Sequence, residues 1–597
     1  MGFNCTVQPA GLMSALASCG MLVRVRSVSA GLFILGLQAG AQVPDSLVAP
    51  ALERYPMLSE CTIPDFPEKV LCGTLEVYEN YSTQKGKRIP IDVIVLPSRS
   101  LEPSSSAFTL HWGGNGDAAR NKIWFFRPGG AADVIRSTRD VVLMDDRGTG
   151  ASNIRCAAMD SLKPYSYAFV YDRELILDCL DEVQGKVDLD LYDTPGVVRD
   201  YDQVRDWLGL DQLDFFGISY GVRVGLEYLR SYPESIRTLT VKGCVPPDFN
   251  YVNEMDLAIQ EQLEILFQRC KEDTLCGRYY PDFRKELYEV RDRLKEAPVA
   301  FEYDLGNGTS KNITIDDVLF RRVVGHLILG GNANERLPFY VHLAHEGSYI
   351  PLILAGGGLT LDMPVFLSQF CPEEVDRVEY DRAEVQPEKL FTQGAIAEEK
   401  KFACDLWPRM PQAQWLDEPL KGNAPILILT GENDANTPVR MGERVRKAFP
   451  ESSRHIILPH QGHASMETKC QYGLIAQFVD SQELQGLDTA CLATMGQAGF
   501  VYEQALSDVE FEKYTGSYTS NEPGTMLEVY QQNGVHYLRD EFSVWTGPAQ
   551  LLYRGDHTFT AIDCGSCKLT FEMDEGAPVR VSRAYRDTVV FEPKARH

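Results

Sequence analysis

The chain has 597 residues, of which 44% are hydrophobic and 24% charged, and its formal net charge is −26. Such a length exceeds that of one ordinary domain, and the composition is typical of a soluble globular protein. Because an acidic chain offers no basic stripe that could neutralise phosphates, the charge argues against nucleic acid as a partner.

Residues 1–41 are predicted to form an export signal. Arg24 and Arg26 precede an apolar run of residues 30–37, and Ala39-Gly40-Ala41 is a small-x-small cleavage site. The run is too short to span a bilayer, and no later segment is typical of a transmembrane helix. We therefore expect a secreted or periplasmic protein without stable membrane insertion.

A possible lipoprotein anchor and the cysteine pattern also bear on where the protein is located. Leu16-Ala17-Ser18-Cys19 resembles a lipoprotein box that would tether the protein through Cys19, although no Lys or Arg precedes it. Export permits disulfides. Cys244 is left over as a buried free thiol, and the other cysteines after the signal form close pairs: Cys61/Cys72, Cys156/Cys179, Cys270/Cys276, Cys371/Cys404, Cys470/Cys491 and Cys564/Cys567.

Strand and helix signals alternate from about residue 70 to residue 245. Short apolar runs bounded by Gly or charge predict strands, and a run with helical spacing such as PGVVRDYDQVRDWLGL predicts a helix. The predicted strands are LCGTLEVYENY and RIPIDVIVLP, which form a hairpin, followed by SAFTLHW, DVVLMDD, LDFFGIS and IRTLTVKG. Strands separated by helices imply a parallel sheet covered on both faces.

The pattern changes twice more along the chain. Residues 249–415 are mainly helical, and helices inserted into an α/β sheet usually form a cap over the site. Strand–helix alternation resumes over residues 416–505, with APILILTGEND and RHIILPHQGH as the strand segments. Residues 506–597 alternate with the period of strands, and Asn533-Gly534 marks a hairpin tip. We therefore expect a core of residues 42–248 and 416–505, a cap, and a small C-terminal β domain.

A possible nucleophile lies in LDFFGISYGVRVGLEYL, residues 213–229. Gly217-Ile218-Ser219-Tyr220-Gly221 has the pattern G-x-S-x-G at the junction of an apolar strand and an amphipathic helix. In that context the pattern predicts a nucleophile elbow, whose turn is so tight that both glycine positions exclude a side chain. Ser219 is therefore the candidate nucleophile.

A serine nucleophile needs a base and an acid that orients the base. An α/β-hydrolase sheet supplies them in the order Ser, Asp, His, from loops after successive strands. Asp434 in LILTGENDANTP and His463 in LPHQGHAS occupy those two loops. His460 competes for the role of base, but Gly462 favours His463, since the imidazole must approach the elbow closely. The predicted fold is an α/β-hydrolase with an inserted helical cap and an appended β domain.

The tetrahedral intermediate needs backbone donors for its oxyanion. One is predicted to be the N–H of Tyr220, at the start of the elbow helix. The second is assigned to Gly114 in the loop His111-Trp112-Gly113-Gly114-Asn115-Gly116, which follows the strand SAFTLHW. Glycines there allow the backbone to reach the substrate carbonyl. The alternative is that this loop is only a structural turn.

The segments HWGGNG, MDDRGTGAS, GISYG, GENDANTP and GHAS together resemble the prolyl and tripeptidyl aminopeptidase family of exported α/β-hydrolases, with a TAP-like C-terminal region. The similarity covers about residues 55–495. It implies a serine hydrolase with a helical cap that releases N-terminal residues or short peptides. It also implies that Asp146-Arg147-Gly148 braces the oxyanion turn. Asn115 stands where the family has proline, and Trp112 precedes the glycines, so substrate choice stays open.

An aminopeptidase must recognise a free ammonium group, and a cap carboxylate can do so. In the family a glutamate just after a cap cysteine tends to serve, and here Glu373 and Glu374 follow Cys371. Glu373 is the predicted anchor, ahead of Glu335 and Glu346. The alternative for Glu373 is a solvated carboxylate in the first turn of a helix.

Two other functions share parts of this pattern. A carboxylesterase acting on small acyl or aromatic esters would use the same three catalytic residues. A non-catalytic binding protein on a hydrolase scaffold would have no physical need to keep all three. The sequence implies no metal or organic cofactor, because its histidines lack helical ligand spacing and no phosphate-binding loop occurs. The expected partner is a peptide or a small ester, and the oligomeric state stays open.

Overall fold

The structure is a computed structural model. It describes residues 45–597, with the following residues left out: 65, 115–117, 155, 157–172, 248–249, 251, 305–309, 331–334, 356–362, 378–388, 409–412, 464–467, 498, 503–505, 521–525, 533–534, 541–548, 562–566, 575, 585–587 and 594–597. The predicted export signal, Cys19, Asn115, the Asn533-Gly534 tip and the proposed Cys564/Cys567 pair lie outside the described residues.

The fold is built on a central sheet of nine strands. Numbered along the chain, the strands have the order β1-β2-β3-β5-β4-β6-β7-β10-β11. The strands at one edge are antiparallel, whereas β5, β4, β6, β7, β10 and β11 are parallel. The first seven strands are β1 Ser59–Thr62, β2 Lys69–Tyr78, β3 Arg88–Leu96, β4 Ala107–His111, β5 Val141–Met144, β6 Leu213–Ile218 and β7 Ile236–Lys242.

The helices of this first part lie between the strands, as the sequence predicted. They are α1 Asp45–Arg54, α2 Ala119–Lys122, α3 Arg173–Val183, α4 Thr194–Trp207 and α5 Tyr220–Ser231. Alternate residues of each central strand face opposite sides of the sheet. Phe215 packs with Tyr228 on one face, whereas Phe216 packs with Tyr472 on the other. Both faces of the sheet are therefore buried.

After β7 the chain leaves the sheet and forms a mainly helical insertion. Its helices are α6 Val252–Glu272, α7 Thr274–Tyr279, α8 Phe283–Glu296, α9 Asp317–Gly330, α10 Leu337–His345, α11 Ile350–Ala355, α12 Met363–Glu373 and α13 Ala395–Leu406. The insertion also contains an antiparallel hairpin, β8 Val299–Asp304 and β9 Ser310–Ile315, which the sequence interpretation did not include. Its apolar core includes Ala435, beside the candidate acid Asp434, so the insertion packs against that loop.

The chain then returns to the sheet. β10 Ile426–Gly431 pairs in parallel with β7, and β11 Ser453–Leu458 extends the sheet beyond β10. Helices α14 Val439–Ala448 and α15 Lys469–Ser481 follow these strands. The loops after β6, β10 and β11 therefore meet at the carboxyl edge of the parallel strands, where the predicted site residues occur.

The C-terminal region is a closed barrel of eight antiparallel strands. Short helix α16 Asp508–Phe511 precedes it, and closure results from the pairing of Tyr518 with Pro593. Tyr514, Phe559 and Phe571 belong to a buried aromatic cluster in this region. The strands are β12 Gly516–Ser520, β13 Met526–Gln532, β14 Val535–Asp540, β15 Ala549–Gly555, β16 Thr558–Ala561, β17 Cys567–Asp574, β18 Ala577–Ala584 and β19 Thr588–Pro593.

The barrel packs against the helical insertion through strand β15. Leu552 joins the buried cluster of the insertion helices, and Gln550 Oε1 accepts a hydrogen bond from the hydroxyl of Tyr340 at 3.1 Å. Arg554 donates to the backbone carbonyl of Tyr502, whose ring stacks on Tyr279 at 4.9 Å between centroids. The barrel is thus attached to the insertion by apolar, polar and aromatic contacts.

Five disulfides confirm five of the six predicted pairs: Cys61–Cys72, Cys156–Cys179, Cys270–Cys276, Cys371–Cys404 and Cys470–Cys491. Cys244 is buried and free, as predicted. The Cys371–Cys404 bridge joins α12 to α13 within the insertion. None of the helices in the described parts of the chain combines the length and the apolar character needed to cross a membrane.

Candidate active site

Ser219 occupies the sharp turn between β6 and α5. Its backbone has φ 55° and ψ −120°, a conformation that costs a non-glycine residue energy and that is found where function requires it. A Cβ at Gly217 would lie 2.2 Å from the carbonyl oxygen of Gly221, and one at Gly221 would lie 2.4 Å from that of His111. Both glycine positions therefore exclude a side chain, as the predicted elbow requires.

The glycine loop after β4 lies directly against this turn. A Cβ at Gly113 would lie 2.3 Å from the carbonyl oxygen of Ile218 and 3.0 Å from Cβ of Ser219. Gly113 and Gly114 have φ of 108° and 62°, so the chain turns through conformations that favour glycine. The loop that carries the predicted oxyanion donor Gly114 is thus in contact with the predicted nucleophile.

A buried imidazole supports the start of that loop. His111 Nδ1 accepts a hydrogen bond from the N–H of Gly113 at 3.2 Å, and its Nε2 lies 3.4 Å from Asp146 Oδ1. The other oxygen of Asp146 accepts from Lys122 Nζ at 3.0 Å. Burial lowers the pKa of His111 to about 4, so the ring is neutral and its hydrogen resides on Nε2. His111 thus lies between Asp146 and the glycine loop.

His463 and Asp434 form a close pair. His463 Nδ1 lies 3.1 Å and 3.0 Å from the two carboxylate oxygens of Asp434, which is 4% exposed. The pKa of Asp434 is lowered: burial alone would raise it, but the charge and hydrogen bond of His463 and two hydrogen bonds from Thr437 outweigh that effect. The carboxylate is therefore ionised at neutral pH and orients the imidazole.

The competing histidine lies elsewhere in the same loop. His460 Nδ1 is 3.2 Å from Glu432 Oε2, and both side chains are exposed, at 39% and 52%. Its backbone has φ 60° and its N–H also donates to Glu432. The structure thus brings His463, and not His460, to the buried carboxylate.

Sequence reasoning missed Thr437, whose hydroxyl donates to Asp434 Oδ2 at 2.7 Å and lies 3.0 Å from His463 Nδ1.

We expect Thr437→Val, which keeps the shape but removes the hydroxyl, to lower kcat about 10-fold with little change in KM, because the carboxylate loses one of the hydrogen bonds that orient it. Thr437→Ser retains the hydroxyl and is the matched control. Steady-state kinetics of both variants check this, and equal losses in both would contradict it.

The predicted anchor Glu373 is buried at the boundary between the insertion and the elbow helix. Its Oε1 accepts from the Thr194 hydroxyl at 2.6 Å, and its Oε2 accepts from Arg223 NH1 at 3.2 Å. The Thr194 hydroxyl also bonds to the hydroxyl of Tyr220. Arg223 NH2 donates to Glu374 Oε1 at 2.5 Å. These contacts join α12 to α5, a role that the sequence did not predict.

The alternative interpretation of Glu373 as a solvated carboxylate at a helix start is wrong. Glu373 is the last residue of α12 and only 1% exposed. Burial raises its pKa to about 7, although Arg223 and Thr194 act in the opposite direction. The lesser candidates lie apart from this cluster: Glu335 pairs with Arg269, and Glu346 with His345.

Part of the chain is similar to a known protein family. Residues 390–491 match the TAP-like protein family. The chain has the α/β-hydrolase fold, and the TAP-like match lies in its C-terminal core segment. The predicted resemblance to proteins with a TAP-like C-terminal region is confirmed by this match.

Three relatives illustrate the similarity. Serine protease Hip1 of Mycobacterium tuberculosis is 26% identical over 224 residues, which are 35% of this chain and 42% of Hip1. Proline iminopeptidase of Neisseria meningitidis serogroup B is 23% identical over 365 residues, 60% of this chain and 82% of that one. Tripeptidyl aminopeptidase of Streptomyces lividans is 24% identical over 203 residues, 31% and 37% of the two chains. The matched region thus spans less than half of Hip1.

Proposed function

We propose that this protein is an exported serine hydrolase that works through an acyl-enzyme, and that it is an aminopeptidase releasing N-terminal residues or short peptides. The observation that carries the proposal is the contact of His463 Nδ1 with both carboxylate oxygens of buried Asp434, at 3.1 Å and 3.0 Å. That contact leaves Nε2 of the imidazole as the base. The strained turn at Ser219 supports the role of its hydroxyl as the group on which this base would act.

The proposed reaction has two steps with balanced proton transfers. His463 Nε2 removes the Ser219 proton while Oγ bonds to the substrate acyl carbon, and the N–H groups of Gly114 and Tyr220 stabilise the oxyanion. The tetrahedral intermediate collapses when His463 returns its proton to the leaving amine or alcohol. Water then attacks the acyl-enzyme by the same route, and Ser219 regains its proton. Asp434 stays ionised throughout and stabilises the imidazolium.

Export is proposed on two grounds. Five disulfides in the described residues are typical of an oxidising compartment. The sequence of residues 1–41 has the charge, apolar run and small-residue site of a cleavable signal. Mass spectrometry of the N-terminus of the mature protein tests this, and a mature chain that begins at Gln42 is the expected result.

The amine anchor is assigned to Glu373, because its carboxylate bonds to the Thr194 hydroxyl, which in turn bonds to the hydroxyl of Tyr220. Its pKa of about 7 means that the carboxylate is ionised above neutrality. A substrate α-amine stays charged below about pH 8. We therefore expect kcat/KM for substrates with a free N-terminus to be highest between about pH 7 and about pH 8.

Glu373→Gln is expected to lower kcat/KM for chromogenic amides with a free N-terminus by roughly 10²-fold, because a buried charged pair with the substrate ammonium is lost. Hydrolysis of the same substrates with a blocked N-terminus is expected to change little. Glu374→Gln is the matched control, since Glu374 also bonds to Arg223 but not to Thr194. Equal losses on free and blocked substrates would contradict the anchor role.

The second candidate function is a carboxylesterase, and the same observation on Glu373 favours it. Both oxygens of Glu373 already accept hydrogen bonds from Thr194 and Arg223. A carboxylate engaged in this way can join the insertion to the elbow helix without contacting any substrate. Preference of the wild-type enzyme for N-blocked amides and small esters would support the esterase and rule out the aminopeptidase.

A further inference from the structure

A buried lysine lies between the two halves of the proposed active site. Lys242 is the last residue of β7, which pairs in parallel with the elbow strand β6, and it is 1% exposed. Lysine is almost never fully buried unless it has partners, because loss of water penalises the charged form. The proposed proton transfers do not use this side chain, so its position needs another explanation.

Lys242 contacts the proposed nucleophile and the proposed base at the same time. Its backbone carbonyl accepts a hydrogen bond from the N–H of Ser219 at 2.9 Å. Its Nζ donates to the backbone carbonyl of His463 at 3.1 Å. One residue thus joins the turn that carries the hydroxyl to the loop that carries the imidazole.

Gly243, the residue after Lys242, lies close to the proposed base and to the side chains that orient it. A Cβ at Gly243 would lie 2.8 Å from Thr437 Oγ1, 3.2 Å from His463 Cε1 and 3.4 Å from Asp434 Oδ2. The N–H of Gly243 also donates to the carbonyl of Leu429 in β10 at 3.1 Å. The backbone at the end of β7 therefore approaches the imidazole and its carboxylate so closely that a side chain at position 243 would not fit.

We propose that Lys242 is a positioning residue whose ammonium holds the His463 main chain, and with it the imidazole, in register with Ser219. This role rests on the proposed function, since it concerns the same proton transfer. A hydrogen bond from a charged donor is about twice as strong as a neutral one. The link to Ser219 is made by the backbone and survives substitution, whereas the link to His463 depends on the side chain.

Among the described residues, Asp434, His463 and Cys244 are titratable groups close to Lys242. Asp434, in the loop after β10, attracts the ammonium, and His463 lies in the loop after β11. Cys244 follows two residues later on the same segment, and burial raises the pKa of its thiol well above the usual range, so it stays neutral. Burial lowers the pKa of Lys242 to about 8, although Asp434 acts to raise it. The ammonium therefore loses its proton as the pH rises through 8.

The test measures the rate at which a fluorophosphonate labels Ser219 from about pH 6 to about pH 10, and the rate of hydrolysis of an N-blocked ester. Neither probe carries an amine, so substrate titration cannot cause a decline at alkaline pH. For the wild type we expect both rates to fall about 10-fold with a midpoint near 8. Lys242→Met is expected to label roughly 10²-fold more slowly at neutral pH, with no step near 8. Lys242→Arg keeps a charge that does not titrate in this range, so its profile is expected to lack the alkaline decline.

Lys400 is the matched control. It lies on α13 in the insertion, and burial lowers its pKa to about 8 as well. Lys400→Met is expected to leave the alkaline decline unchanged. If loss of a buried lysine acted only through packing, this variant would change the profile as well. Circular dichroism at each pH reports whether the variants stay folded.

Several results would overturn the role of Lys242. They are a Lys242→Met variant that labels at the wild-type rate with the wild-type profile, and a wild-type profile that is flat through pH 8. A decline that disappears in Lys400→Met would do the same. Should Lys242→Met not fold, the wild-type and Lys400→Met profiles decide alone. A wild type that is never labelled overturns the proposed function as well, whereas a labelled wild type with a flat profile overturns only this inference.

Discussion

Ser219→Ala is expected to lower kcat by about 10⁶-fold and to abolish labelling by a fluorophosphonate. The hydroxyl at the elbow is the only atom of this side chain that can bond to an acyl carbon, and its loss leaves only the oxyanion donors to act on the substrate. The strained backbone at Ser219, with φ 55°, is held by the glycine positions on either side and not by the hydroxyl. The variant should therefore fold normally, with an unchanged melting temperature.

Ser231→Ala is the matched control for that prediction. Ser231 ends the same helix α5, where its hydroxyl donates to Glu227 at 2.6 Å. Its loss is expected to leave kcat, KM and labelling unchanged. Mass spectrometry of the labelled wild type should place the adduct on the peptide that contains Ser219. Labelling of Ser219→Ala at the wild-type rate would show that another residue is the nucleophile, and the proposed function would then be wrong.

The parts of the fold that depend on local pattern were predictable. The runs LDFFGIS and IRTLTVKG are bounded by turns and rich in apolar residues, and they form β6 and β7 as expected. The elbow follows from two glycines whose spacing is fixed by close backbone approach. Asp434 and His463 follow from chain order, because successive parallel strands deliver their loops to the same edge of a sheet.

Closure of the C-terminal barrel could not be predicted in the same way. It depends on the pairing of β12 with β19, whose residues Tyr518 and Pro593 are far apart in sequence. Local alternation shows that strands form, but it does not determine which strands become neighbours at the ends of the region. The hairpin β8–β9 was missed for a related reason, since two short strands inside a mainly helical segment give a weak signal.

The burial of charged side chains around the site could not be predicted from the sequence either. Arg223 is a charged residue of the amphipathic elbow helix α5, yet it is 1% exposed. Its burial is possible because Glu373 and Glu374 reach it from the insertion, 150 and 151 positions later in the chain. Lys242 follows the same principle, since its ammonium is buried against the loop that carries His463, which is distant in sequence.

His463→Ala is expected to lower kcat by about as much as Ser219→Ala, roughly 10⁶-fold, because a serine without its base is a poor nucleophile. His460→Ala is the matched control from the same loop, and it is expected to retain wild-type kcat, since its ring pairs with exposed Glu432. Kinetics of the two variants on one blocked ester would decide between the histidines. A loss confined to His460→Ala would contradict the assignment of the base.

The double variant Ser219→Ala/His463→Ala gives a sharper result than either single one. Residues that act as one proton-transfer unit are not additive, so the double variant should be no slower than Ser219→Ala alone. If the two residues contributed independently, the losses of rate from the two substitutions would multiply, and the residual rate would fall below any measurable value. Asp434→Asn belongs to the same series with a smaller loss, about 10⁴-fold in kcat, because an amide keeps the shape but favours the wrong tautomer of His463. The expected order of these losses follows from the proposed roles, in which Ser219 and His463 exchange the proton and Asp434 only orients the ring.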